Sequence, residues 1–449
     1  MNASNTYTTS PSAASERAVL VGLATNGTLR SEVEDTLDEL ALLADTAGAV
    51  VVERTLQERD QPDKAYFIGR GKADEIKQIV EDIDAHVVIF DDDLSPAQTR
   101  NLESLIDRKI IDRSRLILDI FSSRARTKEA QTQVELAQLT YMLPRLTRQW
   151  THLSRQAGGG GASGGIGTRG PGETQLEVDR RATRSRINVL EKALDKIAKQ
   201  RATGRKQRES IFKTALVGYT NAGKSTLLKG LSGSDVLIED RLFATLDSTT
   251  RRVRLGYNRD ILTTDTVGFI RKLPHHLVAS FRSTLEEAVQ ADLLLHVVDA
   301  SYEHRDGHIT TVNQVLTELG IVDRPTLIVF NKIDEIDSDE LGGLQTTYPD
   351  AVFVSGLRGD GLDRLRSTIY HHLEGARITL HLAVPQAEGR LLSDIHRIGE
   401  VINTSYEGND VRITVKLSQE NAKRMFPNGR YQANNKKGAD HLVASPDKS

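Results

Sequence analysis

The first hundred or so residues alternate short apolar runs with longer amphipathic segments. The strand candidates are 19–23, 49–54, 86–90 and 109–112, and the helix candidates between them are 32–45, 73–83 and 95–107. The runs are rich in β-branched residues, whereas the segments carry apolar residues at three- and four-residue spacing. Strands that alternate with helices favour a parallel sheet covered by helices. The pattern therefore predicts an α/β domain over residues 17–143.

A glycine-rich stretch follows this domain. A helical pattern over 129–143 ends before Pro144, and nine of the fifteen residues at 158–172 are glycine. Glycine favours a flexible linker, yet it also lets a backbone approach a phosphate chain closely, and Arg169 would add charge. Composition leaves a linker and a ligand-ordered loop equally open. A second helical pattern, over 174–201, completes a linker that we place at 144–209.

Charge is distributed unevenly along the chain. The 59 Lys and Arg against 62 Asp and Glu give a net charge of -3, which argues against a globally basic nucleic-acid coat protein. Residues 144–210 nevertheless contain fifteen Lys and Arg against six Asp and Glu. Charge alone slightly favours a solvated helix face balanced by acidic neighbours. The adjoining glycine run moves the interpretation towards nucleic acid.

Composition limits the class of protein. A length of 449 residues predicts several domains of about 150 residues each. The absence of cysteine excludes disulfides, zinc-cysteine sites, iron–sulfur clusters and thiol nucleophiles. No apolar run approaches the roughly 18 residues of a membrane span, which leaves only peripheral membrane contact open. Residues 1–16 lack a secretory signal pattern and predict a disordered tail. We expect a soluble, cytoplasmic, multidomain monomer.

The strongest chemical signal follows the strand-like run at 212–217. The motif comprises Gly218, Tyr219, Thr220, Asn221, Ala222, Gly223, Lys224, Ser225 and Thr226. It matches G-x-x-x-x-G-K-[ST] between a strand and a helix, where backbone N–H groups and the helix N-terminus bind phosphates. Lys224 is expected to contact the β- and γ-phosphates, and the Ser225 hydroxyl to bind Mg²⁺.

Three further motifs follow in order, each after an apolar strand. They are Asp265, Thr266, Val267 and Gly268; then Asn331, Lys332, Ile333 and Asp334; then Ser355, Gly356 and Leu357. Asp265 can hold Mg²⁺ through water, and the Gly268 N–H can contact the γ-phosphate. Asp334 can accept hydrogen bonds from N1–H and N2–H₂ of guanine, which adenine lacks. The four motifs together predict a GTP-binding domain with a mostly parallel sheet over residues 210–376.

A threonine that completes the Mg²⁺ shell is expected between the first two motifs. The segment at 243–251 contains three candidates, Thr245, Thr249 and Thr250, and spacing alone does not choose among them.

The residue after Gly268 bears on hydrolysis. Many regulatory GTPases carry a water-orienting glutamine there, whereas this chain has Phe269, which cannot hydrogen-bond through its side chain. We therefore expect slow intrinsic hydrolysis that a partner stimulates. Asn221 could help to hold K⁺ at the phosphates in place of an arginine finger.

These residues resemble the HflX-type GTPases, a family associated with translation. The resemblance rests on the segments 137–146, 164–181, 218–227, 243–247, 265–288 and 331–334. The glycine-rich segment (GGIGTRGPGETQLEVDRR) and DTVGFIRKLP are specific to the family, whereas the other motifs occur in many GTPases. The likeness covers most of the chain.

The resemblance assigns nucleotide contacts to further residues and selects among the threonines. It adds Phe243, Ala244, Thr245, Leu246 and Asp247 to the contacts already named. It places Mg²⁺ on Ser225 and Thr245 and implies catalytic roles for Lys224, Thr245 and Gly268. Two positions depart from the family pattern: Ser248 replaces a common proline, and Gly356 replaces the usual alanine.

The resemblance also implies a role and a partner. The family binds the large ribosomal subunit near the peptidyl-transferase region and is associated with splitting or rescuing stalled ribosomes under stress. It makes Arg169 and the basic linker expected rRNA contacts. Two alternatives stay open: a GTPase module of an RNA-modification system, and an RNA remodelling factor whose N-terminal domain hydrolyses ATP near Gly69-Arg70-Gly71-Lys72.

The family often has a small C-terminal domain, which we place at 377–449 together with a polar tail. The pattern at 377–433 predicts the element order β-α-β-α, with a helix over 391–401.

Overall fold

The computed structural model describes residues 16–146, 171–205, 211–233, 242–243, 245–256, 259–272, 287–321, 324–375, 377–418, 421–422 and 425–426. Sheets of four, six and three strands organise these residues, so the predicted α/β multidomain fold class is confirmed. The first fifteen residues, the glycine run as far as position 170 with its Arg169, and the polar C-terminal tail lie outside the described residues.

The N-terminal region forms the predicted alternation of strands and helices. Its elements are β1 (Arg17–Ala24), α1 (Arg30–Thr46), β2 (Val50–Glu58), α2 (Arg70–Asp82), β3 (Val87–Phe90), α3 (Pro96–Ile106), β4 (Lys109–Asp112) and α4 (Arg113–Arg124). The sheet order is β2-β1-β3-β4, and all neighbours are parallel. All four residues of β3 are buried, because helices cover both faces of such a sheet. Helix α4 has no counterpart among the sequence predictions.

Two helices lie between the N-terminal sheet and the six-stranded sheet along the chain; the first falls within the predicted N-terminal domain (17–143) and the second within the predicted linker (144–209). They are α5 (Lys128–Met142) and α6 (Pro171–Arg205), which pack against each other. Arg186 pairs with Glu135 across them at 2.7 Å, and Leu190 of α6 is buried. Helix α6 is 35 residues long. Neither it nor any other helix in the described ranges is long and apolar enough to span a membrane.

The third region contains the six-stranded sheet. Its elements are β5 (Lys213–Gly218), α7 (Lys224–Ser232), β6 (Thr249–Gly256), β7 (Arg259–Asp265), β8 (Leu293–Asp299), α8 (Arg305–Glu318), β9 (Thr326–Asn331), a 3₁₀ turn (Ile333–Glu335), α9 (Ser338–Thr347), β10 (Val352–Phe353) and α10 (Leu362–Gly375). The order is β10-β9-β8-β5-β7-β6, with only β6 antiparallel to its neighbour. The carboxyl ends of the parallel strands therefore meet at one edge, where ligands bind in such sheets.

The C-terminal region differs from its prediction. It contains β11 (Arg377–Pro385), α11 (Gly389–Ile398), β12 (Glu400–Glu407) and β13 (Asp410–Ser418), in the antiparallel order β11-β13-β12. The predicted order β-α-β-α is wrong because it missed β12 and extended the helix to residue 401. Strand β12 is an edge strand whose residues are mostly exposed, so it lacks the alternation that reveals a half-buried strand.

One hydrophobic cluster connects these regions. It extends from one face of the N-terminal sheet through Phe121 of α4 and Val134 of α5 to Phe243 and Phe269 of the third region. The segments that contain Phe243 and Phe269 are therefore packed partly against the N-terminal sheet region, α4 and α5.

Candidate nucleotide-binding site

The phosphate-binding motif connects β5 to α7 as a tight loop. Gly218 has φ +154°, and a Cβ atom there would lie 2.2 Å from the carbonyl oxygen of Val297. Gly223 has φ +82°, and its Cβ atom would lie 2.2 Å from Nδ2 of Asn331. Both positions therefore require glycine, and the loop has the close backbone approach that phosphate binding needs.

Lys224 lies buried beneath this loop. Its ammonium group donates to the carbonyl oxygens of Gly218, at 3.1 Å, and Tyr219, at 2.7 Å. Burial lowers the pKa of Lys224 to about 8, and the charge of Asp265 opposes this shift. Because the lysine is already desolvated and held by weakly basic carbonyls, phosphate oxygens would be stronger partners for it.

Three side-chain oxygens converge beside Lys224. The Ser225 hydroxyl donates to Oδ2 of Asp265 at 2.6 Å and lies 2.8 Å from Oγ1 of Thr245. Oδ1 of Asp265 is buried and has no hydrogen-bond partner among the described residues. Burial raises the pKa of Asp265, whereas Lys224 lowers it. Oxygen donors of this kind are the ligands that Mg²⁺ prefers, so the residues fit the ion.

The arrangement also separates the three candidate threonines. Thr245 joins the oxygen cluster, whereas Thr249 begins β6 and the Thr250 hydroxyl lies 2.9 Å from that of Thr264. Only Thr245 of the three is placed beside Ser225, which is the position that the family resemblance implies.

The residues around Thr245 face α4 and α5 rather than the phosphate loop. The ring of Phe243 packs edge-to-face on Phe121 of α4, with centroids 4.7 Å apart, and Leu246 is buried in the same cluster. The Asp247 carboxylate accepts hydrogen bonds at the N-terminus of α5 from the backbone N–H groups of Arg126, at 3.1 Å, and Thr127, at 3.2 Å, and from the Thr127 hydroxyl. Ala244 lies outside the described residues.

The segment after β7 is tied to the phosphate loop through its backbone. The N–H of Thr220 donates to the carbonyl of Phe269 at 2.8 Å, and the N–H of Phe269 donates to the carbonyl of Gly218 at 3.1 Å. A Cβ atom on Gly268 would lie 2.8 Å from Cα of Thr220. The Phe269 ring is 1% exposed and points into the interdomain cluster.

Thr266 and Val267, between Asp265 and Gly268, have no free polar side chain for a ligand. The Thr266 hydroxyl donates to the carbonyl of Leu216 at 2.7 Å, and Val267 belongs to the hydrophobic cluster. Their contribution to a nucleotide site is therefore limited to the backbone.

The remaining motifs lie together at the carboxyl ends of β9 and β10. Nδ2 of Asn331 donates to the carbonyl of Ala222 at 2.9 Å, and its Oδ1 accepts from the N–H of Gly356 at 2.9 Å. Asn331 thus connects the phosphate loop to the loop that follows β10. Lys332 pairs with Asp299 at 2.6 Å.

Asp334 lies in the 3₁₀ turn with its side chain 7% exposed, and Nε of Arg358 is 3.4 Å from its Oδ2. Ser355 is buried and its hydroxyl accepts from the N–H of Arg358, whereas the side chain of Leu357 is largely exposed.

Three family models match the chain in succession. They are described as GTP-binding GTPase N-terminal, residues 34–122; GTP-binding GTPase Middle Region, residues 124–208; and 50S ribosome-binding GTPase, residues 213–332. The GTPase HflX of Flavobacterium psychrophilum is 44% identical over 81% of this chain and 92% of its own length. The GTPase HflX of Caldanaerobacter subterraneus is 44% identical over 91% of this chain and 93% of its own.

The chain belongs to the HflX family of GTPases. The expected family is therefore confirmed, and the chain is a GTPase. A solved GDP complex of a GTP-binding protein from Sulfolobus solfataricus is 26% identical, with a TM-score of 0.41 over 80% of this chain and 98% of that one.

In this HflX-family chain, sequence reasoning missed a buried ionic network beneath the phosphate loop. The Tyr219 hydroxyl donates to Glu39 of α1, which also pairs with Arg113 of α4. Arg113 is 1% exposed and pairs with Asp91 at 2.6 Å, and Lys272 pairs with Asp91 at 2.6 Å. The three aspartates at 91–93, directly after a predicted strand, were the available signal.

The tetrapeptide Gly69-Arg70-Gly71-Lys72 does not present free cations. Arg70 pairs with Asp74 at 3.3 Å, and Lys72 pairs with Glu75 at 2.7 Å. No observation in this part of the fold favours the N-terminal ATPase alternative.

Proposed function

We propose that this GTPase binds GTP and Mg²⁺ at the carboxyl edge of the six-stranded sheet and uses hydrolysis to time its release from the large ribosomal subunit. The observation that carries the proposal is the convergence of the Ser225, Thr245 and Asp265 oxygens beside buried Lys224. The convergence supports an ion and a phosphate chain at one place. The motif that contains Asn331 and Asp334 supports guanine as the base.

The proposed nucleotide contacts fall into four groups. They are residues 218–226 at the phosphates; 243–247 and 265–268 around the γ-phosphate; 331–334 at the base; and 355–357 at the base through the backbone. Ser225 and Thr245 would hold Mg²⁺, with Asp265 acting through water. The contributions of Leu246 and Asp247 are limited to the backbone, since the Leu246 side chain is buried in the hydrophobic cluster and that of Asp247 contacts the N-terminus of α5.

The chemistry follows from the charges of these groups. A bound Mg²⁺ would neutralise charge on the β- and γ-phosphate oxygens. Lys224 would leave the carbonyls of Gly218 and Tyr219 for the phosphate chain and stabilise charge on the transferred group. The Gly268 N–H, next to the loop, would contact the γ-phosphate. Replacement of Lys224 by alanine is expected to lower the hydrolysis rate by about 10²–10³-fold, as for other single electrostatic stabilisers.

Phe269 supports the expectation of slow intrinsic hydrolysis, because its ring is buried among apolar side chains and cannot orient a water molecule. A partner or a cation would have to supply this function. Asn221 is exposed at the mouth of the loop with φ +60°, which is compatible with a K⁺ contact. Faster hydrolysis in K⁺ than in Na⁺ that disappears in Asn221→Ala would support this role, and equal rates in both salts would contradict it.

The proposed partner is the large ribosomal subunit with its rRNA, in the cytoplasm, and the proposed outcome is splitting or rescue of stalled ribosomes by a monomer. The description of the third family model as a 50S ribosome-binding GTPase supports the partner. Helix α6 supports contact with RNA, because Arg181 and Arg184 are exposed on it. The glycine-rich run that precedes α6 in sequence, with Arg169, is a further proposed rRNA contact.

The test is GTP hydrolysis with and without purified large ribosomal subunits, with Lys224→Ala as the blank. Strong stimulation by the large subunit supports the proposal, and equal single-turnover rates contradict the partnership. ATP hydrolysis that survives in Lys224→Ala would instead support a second nucleotide site in the N-terminal region.

A further inference from the structure

One cation lies beside the carboxylate that recognises the base in the proposed function. Nε of Arg358 is 3.4 Å from Oδ2 of Asp334. The Asp334 side chain is 7% exposed, whereas that of Arg358 is 63% exposed. The arginine therefore approaches a nearly buried carboxylate from the solvent side, with its Nε beside Oδ2.

The loop that carries Arg358 fixes its backbone but leaves its side chain free to adjust. The Arg358 N–H donates to the Ser355 hydroxyl at 2.9 Å, and the Gly359 N–H donates to the Ser355 carbonyl at 2.8 Å. Gly359 and Gly361 have φ values of +91° and +73°, which favour glycine and define the turn. Beyond Cα, most of the arginine lies in solvent, so its guanidinium can shift without disturbing the core.

The two oxygens of Asp334 matter because guanine offers two donors. N1–H and N2–H₂ can each satisfy one carboxylate oxygen, whereas hypoxanthine lacks the amino group and satisfies only one. A nearly buried carboxylate oxygen without a donor costs free energy, and such costs are the usual source of discrimination between similar ligands. A guanidinium close to that carboxylate can supply the missing donor.

We propose that Arg358 reduces the preference of the site for guanine over bases that lack a 2-amino group. Its guanidinium donates to the Asp334 oxygen that such a base leaves unpaired. The inference rests on the proposed role of Asp334 in recognising the base. Inosine nucleotides should then bind more tightly to this chain than to a site with the aspartate alone. Arg358 should increase the affinity for guanine nucleotides less, because their own amino group competes with it for the carboxylate.

The experiment measures the ratio of dissociation constants, Kd for inosine diphosphate over Kd for GDP, on the full chain. In Arg358→Ala this ratio should rise about fivefold, since an exposed ion pair contributes at most about that factor. Arg358→Lys keeps a charged donor and should stay near the wild-type ratio. The matched control is Arg364→Ala, which removes an exposed arginine from α10 and should leave the ratio unchanged.

Asp334→Asn separates this inference from the proposed function. A change of preference from GDP to xanthosine diphosphate supports Asp334 as the residue that recognises the base. If that change occurs but the ratio in Arg358→Ala equals the wild-type ratio or falls, the role of Arg358 is wrong. If Asp334→Asn keeps its preference for GDP, the proposed base recognition is wrong, and the inference falls with it.

Discussion

The two ends of the proposed nucleotide site differ in what supports them. At the phosphate end, Phe243, Asp247 and Phe269 contact α4, α5 or the shared cluster, and Lys272 pairs with Asp91 and Asp92 of the N-terminal region. At the base end, Asn331, Asp334 and Ser355 form hydrogen bonds and an ion pair with partners that, among the described residues, all lie in the region of the six-stranded sheet.

This difference assigns different tasks to the two ends. A change at the γ-phosphate that moved residues 243–247 or 265–272 would disturb packing against two other parts of the chain. A change of base would disturb only local loops. The phosphate end can therefore transmit the state of the nucleotide, whereas the base end only selects it.

The largest expected effect is at the interdomain network. Arg113→Ala leaves the buried carboxylates of Glu39 and Asp91 without their shared cation, which should lower the free energy of unfolding by about 3–5 kcal/mol. This free energy is measured by urea denaturation followed by circular dichroism, in the transition at the lowest urea concentration. Arg115→Ala, which removes an arginine that is one-third exposed and paired with Asp119, should cost less than about 1 kcal/mol. Equal losses in the two variants would show that the buried network stabilises the protein no more than the Arg115–Asp119 pair does.

Tyr219→Phe should destabilise the protein without weakening nucleotide binding. Its hydroxyl donates to Glu39 and accepts from the Arg271 N–H at 2.7 Å, so it points away from the phosphates. Loss of a hydrogen bond to a buried carboxylate costs about 1.5–3 kcal/mol. We expect that decrease in the free energy of unfolding, with a change in GDP affinity below about threefold. A tenfold loss of GDP affinity at unchanged stability would instead place the hydroxyl at the nucleotide.

Acid should weaken the packing around Tyr219. The His308 ring stacks between the rings of Tyr219 and Tyr302, with centroid distances of 3.6 Å and 4.3 Å respectively. Burial, aided by Arg271, lowers the pKa of His308 to about 4. Between about pH 6.5 and 4 the unfolded chain then binds the proton that the folded chain does not, so stability falls as pH falls through this window.

His308→Phe keeps a stacked ring and removes the titration. The free energy of unfolding of the wild type should drop by about 2 kcal/mol more than that of the variant between pH 6.5 and 4.5. His296, whose pKa burial also lowers to about 4, titrates in both proteins and cancels in the comparison. Parallel pH profiles for the two proteins would contradict the prediction.

The smallest effect is expected at the contact between Asp247 and α5. Asp247→Ala removes an acceptor at the helix N-terminus, which should cost about 1 kcal/mol. Hydrogen exchange at the amides of Arg126 and Thr127 should accelerate, while the amide of Gly356 at the base end should not respond. Asp247→Asn retains an acceptor oxygen and serves as the control. Unchanged exchange at α5 would show that this segment does not stabilise the start of α5.

Local features of the chain were predictable wherever neighbours in sequence are also neighbours in space. The phosphate-binding motif needs only a strand, nine consecutive residues and a helix, so spacing was sufficient. The missed strand β12 shows the limit, because an exposed edge strand lacks the apolar alternation on which the prediction depended.

The location of the site was predictable from the sequence, but not all of its residues were. Each motif was predicted to follow a strand, and parallel strands bring their carboxyl ends together, which places Asp265 and Asn331 at one edge. The choice of Thr245 needed the family resemblance, since three threonines share the segment. Arg358 was not singled out, because its contact with Asp334 joins two loops that follow different strands.

The sequence by itself determined the fold class, the order of the nucleotide motifs and the family, because these depend on local periodicity and on contiguous residues. Only the tertiary structure decided what lies behind those motifs: Glu39 beneath Tyr219, α5 beside Asp247, and Phe121 against Phe243. Each of these pairs joins residues more than a hundred positions apart. Such contacts depend on how whole sheets and helices pack, and no periodicity along the chain encodes that packing.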